Sequence, residues 1–188
     1  MAANARRRLG RGDWLAAALK ALEEGGLDAV RVLPLARKLK TSRGSFYWHF
    51  RDRAELLDSV LDYWDTEITD AVIERSLSGV EEARERLRSL ADEVIGQRRG
   101  RYDAAIRAWA LHNRRAAAVV KRVDRKRMAY LKSLFRGMGF GEQPAEARSR
   151  LTLAYFVGDH VLLLTEPAAR RRRLMRLRFE LLIRPESD

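Results

Sequence analysis

Apolar residues recur every three or four positions along almost the entire chain, and no stretch keeps the two-residue alternation of a half-buried strand. That period admits one secondary structure. Leu57, Leu61, Trp64, Ile68 and Val72 form the longest such stripe, at steps of four, three, four and four. The pattern predicts about nine helices and an all-α fold. Asp13 is placed to cap a first helix that Gly25-Gly26 ends near Glu24. Short helices follow at about 32–39, with Pro34 in the first turn, and from a Ser42 cap to about His49. A long helix opens at Asp52. Further helices are expected at about 80–98, from a Ser78/Glu81 capping box, and at 103–111, 115–138, 144–164 and 167–183.

With 188 residues, nearly half of them apolar, the chain is large enough for a packed interior. No apolar run approaches the roughly 20 residues of a membrane span. The basic start "MAANARRRLGRGD" is not followed by the apolar segment of a secretory signal. These features give the expectation of a cytoplasmic protein. Cysteine is absent, which removes disulfides, thiolate nucleophiles and thiolate metal sites.

The formal net charge is +12, with a pI near 10.7. Nucleic acid and anionic membrane are the common partners of such a chain; an arginine-rich genome is the alternative source of the excess. Its distribution is informative. Residues 1–53 hold twelve Lys/Arg against five Asp/Glu. Within them, "KTSRGSFYWHF" (40–50) sets Phe46 and Phe50 four apart on one helix face and Ser42, Arg43, Ser45, Tyr47, Trp48 and His49 on the others. Gly44 leaves room for a close neighbour. Two short helices joined by a tight turn, braced by a preceding one, are the layout of a helix-turn-helix.

Gly26–Leu61 resembles the DNA-binding domain of the tetracycline-repressor (TetR) family of bacterial transcriptional regulators. Ser42-Arg43-Gly44-Ser45-Phe46-Tyr47-Trp48-His49-Phe50 fills each slot of that family's recognition helix, and Arg53, Glu55 and Leu56 match the start of the next helix. The resemblance implies a DNA-binding domain over 1–53, with a basic arm over 1–12, and a helical ligand-binding and dimerisation domain over 54–188. It implies that Arg43 reads bases or clamps phosphate. Lys40, Thr41, Ser42 and Ser45 would bond phosphate or base edges. Gly44 would permit close approach. Tyr47, His49 and Arg53 would hold phosphates, with Trp48 against the sugar–phosphate rim or, alternatively, packed on the neighbouring helix. Arg6, Arg7, Arg8 and Arg11 would add nonspecific attraction. Three positions depart from the family: Lys40 stands for a turn glycine, Arg31 for a Ser/Thr cap, and Leu33-Pro34 for a polar pair.

The remaining two-thirds carries two apolar segments, 151–164 and 173–183, read either as the seam of a homodimer or, for the first, as a central core helix. Leu151, Tyr155, Asp159, Leu162, Leu174, Leu177 and Leu181 are the candidate interface residues. The resemblance implies a cavity for a small-molecule effector, for which Trp64, Tyr102, Trp109, His112, Tyr130 and Phe156 are candidates. Neither a cofactor nor a metal site is expected, since His49, His112 and His160 have no ligand spacing. The expected function is a homodimeric, effector-responsive repressor on a palindromic double-stranded operator, and not an enzyme. A nonspecific nucleoid-type binder and a helical-bundle enzyme using His112 or Asp159-His160 are the alternatives.

Overall fold

The first helix, α1 (Arg11–Ala29), starts from Gly10, whose N–H donates to the Asp13 carboxylate at 2.8 Å. Asp13 therefore sits in the first turn, where an acid also suits the helix dipole, rather than at the cap. The helix kinks at Gly25-Gly26, and Gly26 takes the left-handed φ of 67° that only glycine adopts cheaply, so one further turn continues to Ala29. The computed structural model describes residues 9–77, 82–96, 101–159, 161–162 and 167–184. Arg6, Arg7, Arg8, Ser78, Glu81 and His160 lie outside them. All regular structure among the described residues is helical, in nine unbroken runs.

Two compact units divide the chain after Tyr63. The amino-terminal unit holds α1, α2 (Val32–Lys38), α3 (Arg43–Tyr47) and α4 (Arg53–Tyr63). The division falls later than the expected residue 53 because α4 belongs to this unit's core. Leu56, Leu57, Val60 and Leu61 of α4 are buried with Trp14, Ala18, Leu19, Leu22, Leu35 and Ala36. Arg11 is likewise no part of a free arm. It lies in the first turn of α1, bonds Ser59 and pairs with Glu55 on α4, and sits 4.6 Å above the Phe50 ring.

The long helix expected from Asp52 is present as one continuous run over 53–77, with a change of pitch within it. A π-helical stretch, Trp64–Asp70, follows α4 and leads into α5 (Ala71–Leu77). Next come α6 (Ala83–Ala91), which starts at a Glu82 cap and runs into a second π-helical turn at Asp92–Gly96, and α7 (Arg101–Ala110). The longest helix, α8 (Arg114–Gly137), is capped by Asn113, whose side chain accepts from the Ala116 N–H at 2.9 Å. The second unit closes with α9 (Glu142–Gly158), shorter than the expected 144–164, and α10 (Ala168–Ile183). Leu87, Leu90, Ile95, Leu131, Leu134, Phe135, Phe156 and Phe179 form its apolar core.

Ion pairs from α8 fix the π-helical stretch, which lies beside it. Asp65, almost wholly buried, accepts from Arg122 Nε at 2.7 Å and from Lys126 Nζ at 2.6 Å. Burial raises the Asp65 carboxyl, but the hydrogen bonds from Lys126 and Arg122 outweigh it and leave it below the usual carboxylate range. Asp103 of α7 accepts the Trp64 indole N–H at 3.0 Å and both terminal nitrogens of Arg127. Arg127 also donates to Thr69 at 3.1 Å, and Arg107 grips Asp124 with bonds of 2.9 and 2.6 Å. Removing one partner of a buried pair strands the other charge. Asp103→Asn should therefore lower unfolding free energy by about 3 kcal/mol, read from urea denaturation followed by circular dichroism.

Candidate nucleic-acid interface

The turn between α2 and α3 sets how the third helix is presented. Leu39 ends α2, Lys40 N–H donates to Arg37 C=O at 3.1 Å, and Thr41 N–H donates to Ala36 C=O at 2.9 Å. These two bonds make a Schellman motif with Lys40 at its left-handed position, φ 54°. The lysine thus occupies the glycine conformation without changing the turn, and its amine is left exposed. Arg31 caps α2 by position alone, without a side-chain bond, and Leu33 and Pro34 are exposed.

Ser42 then opens α3, its oxygen accepting from the Ser45 N–H at 3.2 Å. A helix of five residues has too few internal bonds to hold itself. Aromatic packing holds it instead. Phe46 and Phe50 are both buried and stack at 5.4 Å, and Trp14 meets Phe46 edge-on at 5.3 Å. The opposite side faces solvent: Ser42, Arg43 and Gly44 are exposed, Thr41, Ser45 and His49 half-buried, Tyr47 48% exposed and Trp48 87%. At that exposure Trp48 is not packed on the neighbouring helix. The sequence therefore put both phenylalanines and the polar face where the structure has them.

Arg43 and Tyr47 form one unit on this surface. Arg43 Nη2 donates to the Tyr47 hydroxyl at 2.9 Å, and the guanidinium carbon lies 5.5 Å from the Tyr47 ring centre. The pair holds a planar cation outward in a restricted set of orientations. Arg53 is a correction. Half-buried, it donates from Nε to Val30 C=O at 2.6 Å and from Nη2 to Leu27 C=O at 2.7 Å. The guanidinium satisfies carbonyls at the end of α1, where the helix dipole also favours a cation, and braces α4 against α1 instead of reaching outward. A Leu-Asp-Ala-Val stretch after two glycines gave no sign of that need.

In the second unit a cavity of about 50 Å³ is walled by Ile68, Thr69, Val72, Ile73, Leu90, Val94, Asp103, Arg127, Tyr130, Leu131, Leu153 and Phe156. Tyr130 and Phe156 are thus the cavity residues legible in the sequence. Trp64 is buried beside Asp103 without reaching the wall, Trp109 is buried elsewhere, Tyr102 is half-buried off the wall, and His112 is exposed past the end of α7. The Asp103–Arg127 pair was missed because its partners lie 24 residues apart on different helices; Asp103 read only as a helix start.

The last two helices and the turn after α9 leave apolar side chains in water. Leu151, Leu162, Leu177 and Leu181 are each more than half exposed, and Val161 joins them. Tyr155 and Leu174 are half-buried between the two helices; the Tyr155 hydroxyl accepts from Arg178 at 2.8 Å. Burial and the nearby Asp159 raise the Tyr155 phenol above its ordinary value. Asp159 itself is half-buried, directly after the end of α9.

The amino-terminal unit is by geometry a helix-turn-helix domain with an aromatic and basic face. Residues 15–60 match the family model of bacterial regulatory proteins of the tetR family. The likeness in sequence to that family is thus confined to this unit. Tetracycline repressor protein class G of Vibrio anguillarum is 38% identical over 53 residues, which are 28% of this chain and 25% of that protein. The chain's match therefore spans about a quarter of the length of that curated relative. The fold likeness is wider. A transcriptional regulator from Rhodococcus sp. Rha1 superposes with a TM-score of 0.71 at 19% identity, covering 93% of this chain and 94% of that one. A regulator from Saccharomonospora viridis in complex with choline gives 0.71 at 19% over 92% and 94%. The ketosteroid regulator KstR2 of Mycobacterium tuberculosis gives 0.67 at 16% over 97% and 95%.

Because a left-handed lysine costs about 1 kcal/mol more than glycine, Lys40→Gly should raise the unfolding free energy by about that amount. Chemical denaturation of the two proteins side by side is the check.

Proposed function

We propose that this protein is a homodimeric transcriptional regulator, acting as a repressor, that lays α3 in the major groove of a palindromic operator and responds to a small molecule held in its second unit. The observation that carries the reading is the outward face of α3. Arg43, Tyr47 and Trp48 stand in water while Phe46 and Phe50 of the same segment are buried. Arg43 supplies a fork suited to guanine O6 and N7, while Ser42, Ser45, Tyr47 and His49 supply donors for phosphate, with Lys40 and Thr41 flanking them. Trp48 covers the sugar–phosphate rim.

Gly44 supports the same reading by elimination. It is exposed in helical conformation, and a Cβ added there would meet only Ser42 Oγ, at an ordinary 3.6 Å. The fold has no use for a glycine at this point, and in a helix interior glycine costs about 0.5–1 kcal/mol relative to alanine. A duplex brought against the backbone does have a use for it.

Dimerisation follows from the last two helices. Ala147, Leu151 and Ala154 make an exposed stripe at steps of four and three on α9, and Leu177 and Leu181 lie four apart on α10. Paired with the same helices of a second copy, they close a four-helix bundle, and one two-fold axis then governs both protein and operator. For the effector, the support is the cavity lined by Tyr130 and Phe156. The described helices include none long and apolar enough to cross a membrane, consistent with action on cytoplasmic DNA. Catalysis is not part of the proposal; His112, exposed beyond α7, has no acid or nucleophile arranged around it among the described contacts.

Selection of bound duplex from a random pool should enrich a palindrome with half-sites one helical turn apart, about 34–36 Å. Enrichment of no sequence would leave a nucleoid-type binder instead. Gly44→Ala should strengthen the fold by about 0.5–1 kcal/mol while weakening binding of the selected duplex at least tenfold. A variant that is stabilised and binds DNA unchanged would refute the groove-facing role of this helix.

A further inference from the structure

The cavity of the second unit has an unusual polar wall: every charge in it is already answered from within. Asp103 receives the Trp64 indole N–H at 3.0 Å and the two terminal nitrogens of Arg127. Arg107 stands 3.9 Å from the same carboxylate and is itself matched by Asp124. Thr69 accepts from Arg127 at 3.1 Å and donates to Trp64 C=O at 3.0 Å. Two acids and two bases balance. The Ser76 hydroxyl donates to Ile73 C=O at 2.7 Å, so in its 2.6 Å contact with Tyr130 it is the tyrosine that donates. The rest of the wall is aliphatic or aromatic.

Resting on the effector reading above, we infer that the molecule taken up here is neutral and apolar, no larger than a single six-membered ring with a short substituent, and that the cavity excludes anions and cations of the same shape. A carboxylate ligand would compete with Asp103 for Arg127, and drawing the guanidinium away strands a carboxylate that is only 2% exposed. An ammonium ligand would have to take Asp103 from Arg127, which is no better. Either exchange leaves a buried charge without its partner, a penalty that weakens binding about 100-fold or more. A neutral apolar guest asks nothing of the pair and gains from the Val72, Leu90, Leu131 and Phe156 surfaces.

Size sets the upper limit. A volume of about 50 Å³ holds roughly four waters, so a ring enters only if the wall yields. Ile73, Val94 and Leu153 are the aliphatic lining side chains that are only half-buried, and a change of rotamer at Val94 and Leu153 enlarges the space without disturbing the ion pairs.

The full-length protein is titrated with toluene, benzoate and benzylamine, three guests of similar shape and different charge, with melting temperature and calorimetric heat as readouts. Toluene should raise the melting temperature and bind at least about 100-fold more tightly than either ion. Val94→Phe, and separately Leu153→Phe, should abolish the toluene effect while the unliganded circular dichroism spectrum stays native. Stabilisation by benzoate or benzylamine equal to that by toluene would overturn the inference, since the Asp103–Arg127 pair would then be an ion anchor. Silence from all three would overturn it too and reduce the cavity to a packing gap. Duplex binding is measured separately on the same preparation. A protein that binds toluene but no duplex loses the regulator reading and keeps this one; the converse result does the reverse.

Discussion

A helix five residues long, α3, exists only because three aromatic rings hold it. Trp14 from α1, Phe46 from α3 and Phe50 just beyond it form one buried stack, and everything presented outward on α3 is positioned by that stack. Two further supports come from charge. Arg11 closes the open side of Phe50 as it ties α1 to α4, and Arg53 binds the carbonyls on which α1 ends. The amino-terminal unit thus directs some of its arginines inward as braces and leaves others, with Lys40 and Arg43, in solvent. Its positive charge is not uniform in kind.

The second unit is organised differently. Its core is apolar, but the seam between the π-helical stretch and α8 is closed by carboxylates and cations, Asp65 with Arg122 and Lys126 and Asp70 with Lys126, and Asp103 of α7 pairs with Arg127 beside it. Hydrophobic packing tolerates small slips, whereas paired charges at hydrogen-bond distance fix one register. A π-helical turn has an extra residue in its loop and is favoured only where partners compensate it, which here come from α8. Arg127 alone among these cations also lines the cavity, where Asp103 answers its charge.

Much of this was open to reading from the residues in order. Helical period alone located the helices, because one side of each had to be apolar for the chain to pack, and "SRGSFYWHF" declared both the buried and the exposed side of α3. Helix ends were read less well where local chemistry had rivals. Asp13 looked like a cap, yet Gly10, directly before the first helical residue, took that place and left Asp13 in the first turn. The stripe Leu57 to Val72 continued through Trp64–Asp70 without betraying a change of helical pitch, since side-chain period does not distinguish a single wide turn from a regular one. Sequence had least to say about Arg53, Asp103 and Arg127. Their partners are backbone carbonyls or side chains distant along the chain, and an arginine bound inward has the same letter as one in water.

The four tryptophans divide unevenly between these environments. Trp14, Trp64 and Trp109 lie in the interiors of the two units, while Trp48 stands almost bare at the tip of α3. An indole in water emits at longer wavelength than one in a dry core, so the chain carries an intrinsic optical label at the surface that would touch a partner. Its two interiors shine in a bluer band, and light from this protein is already sorted by place.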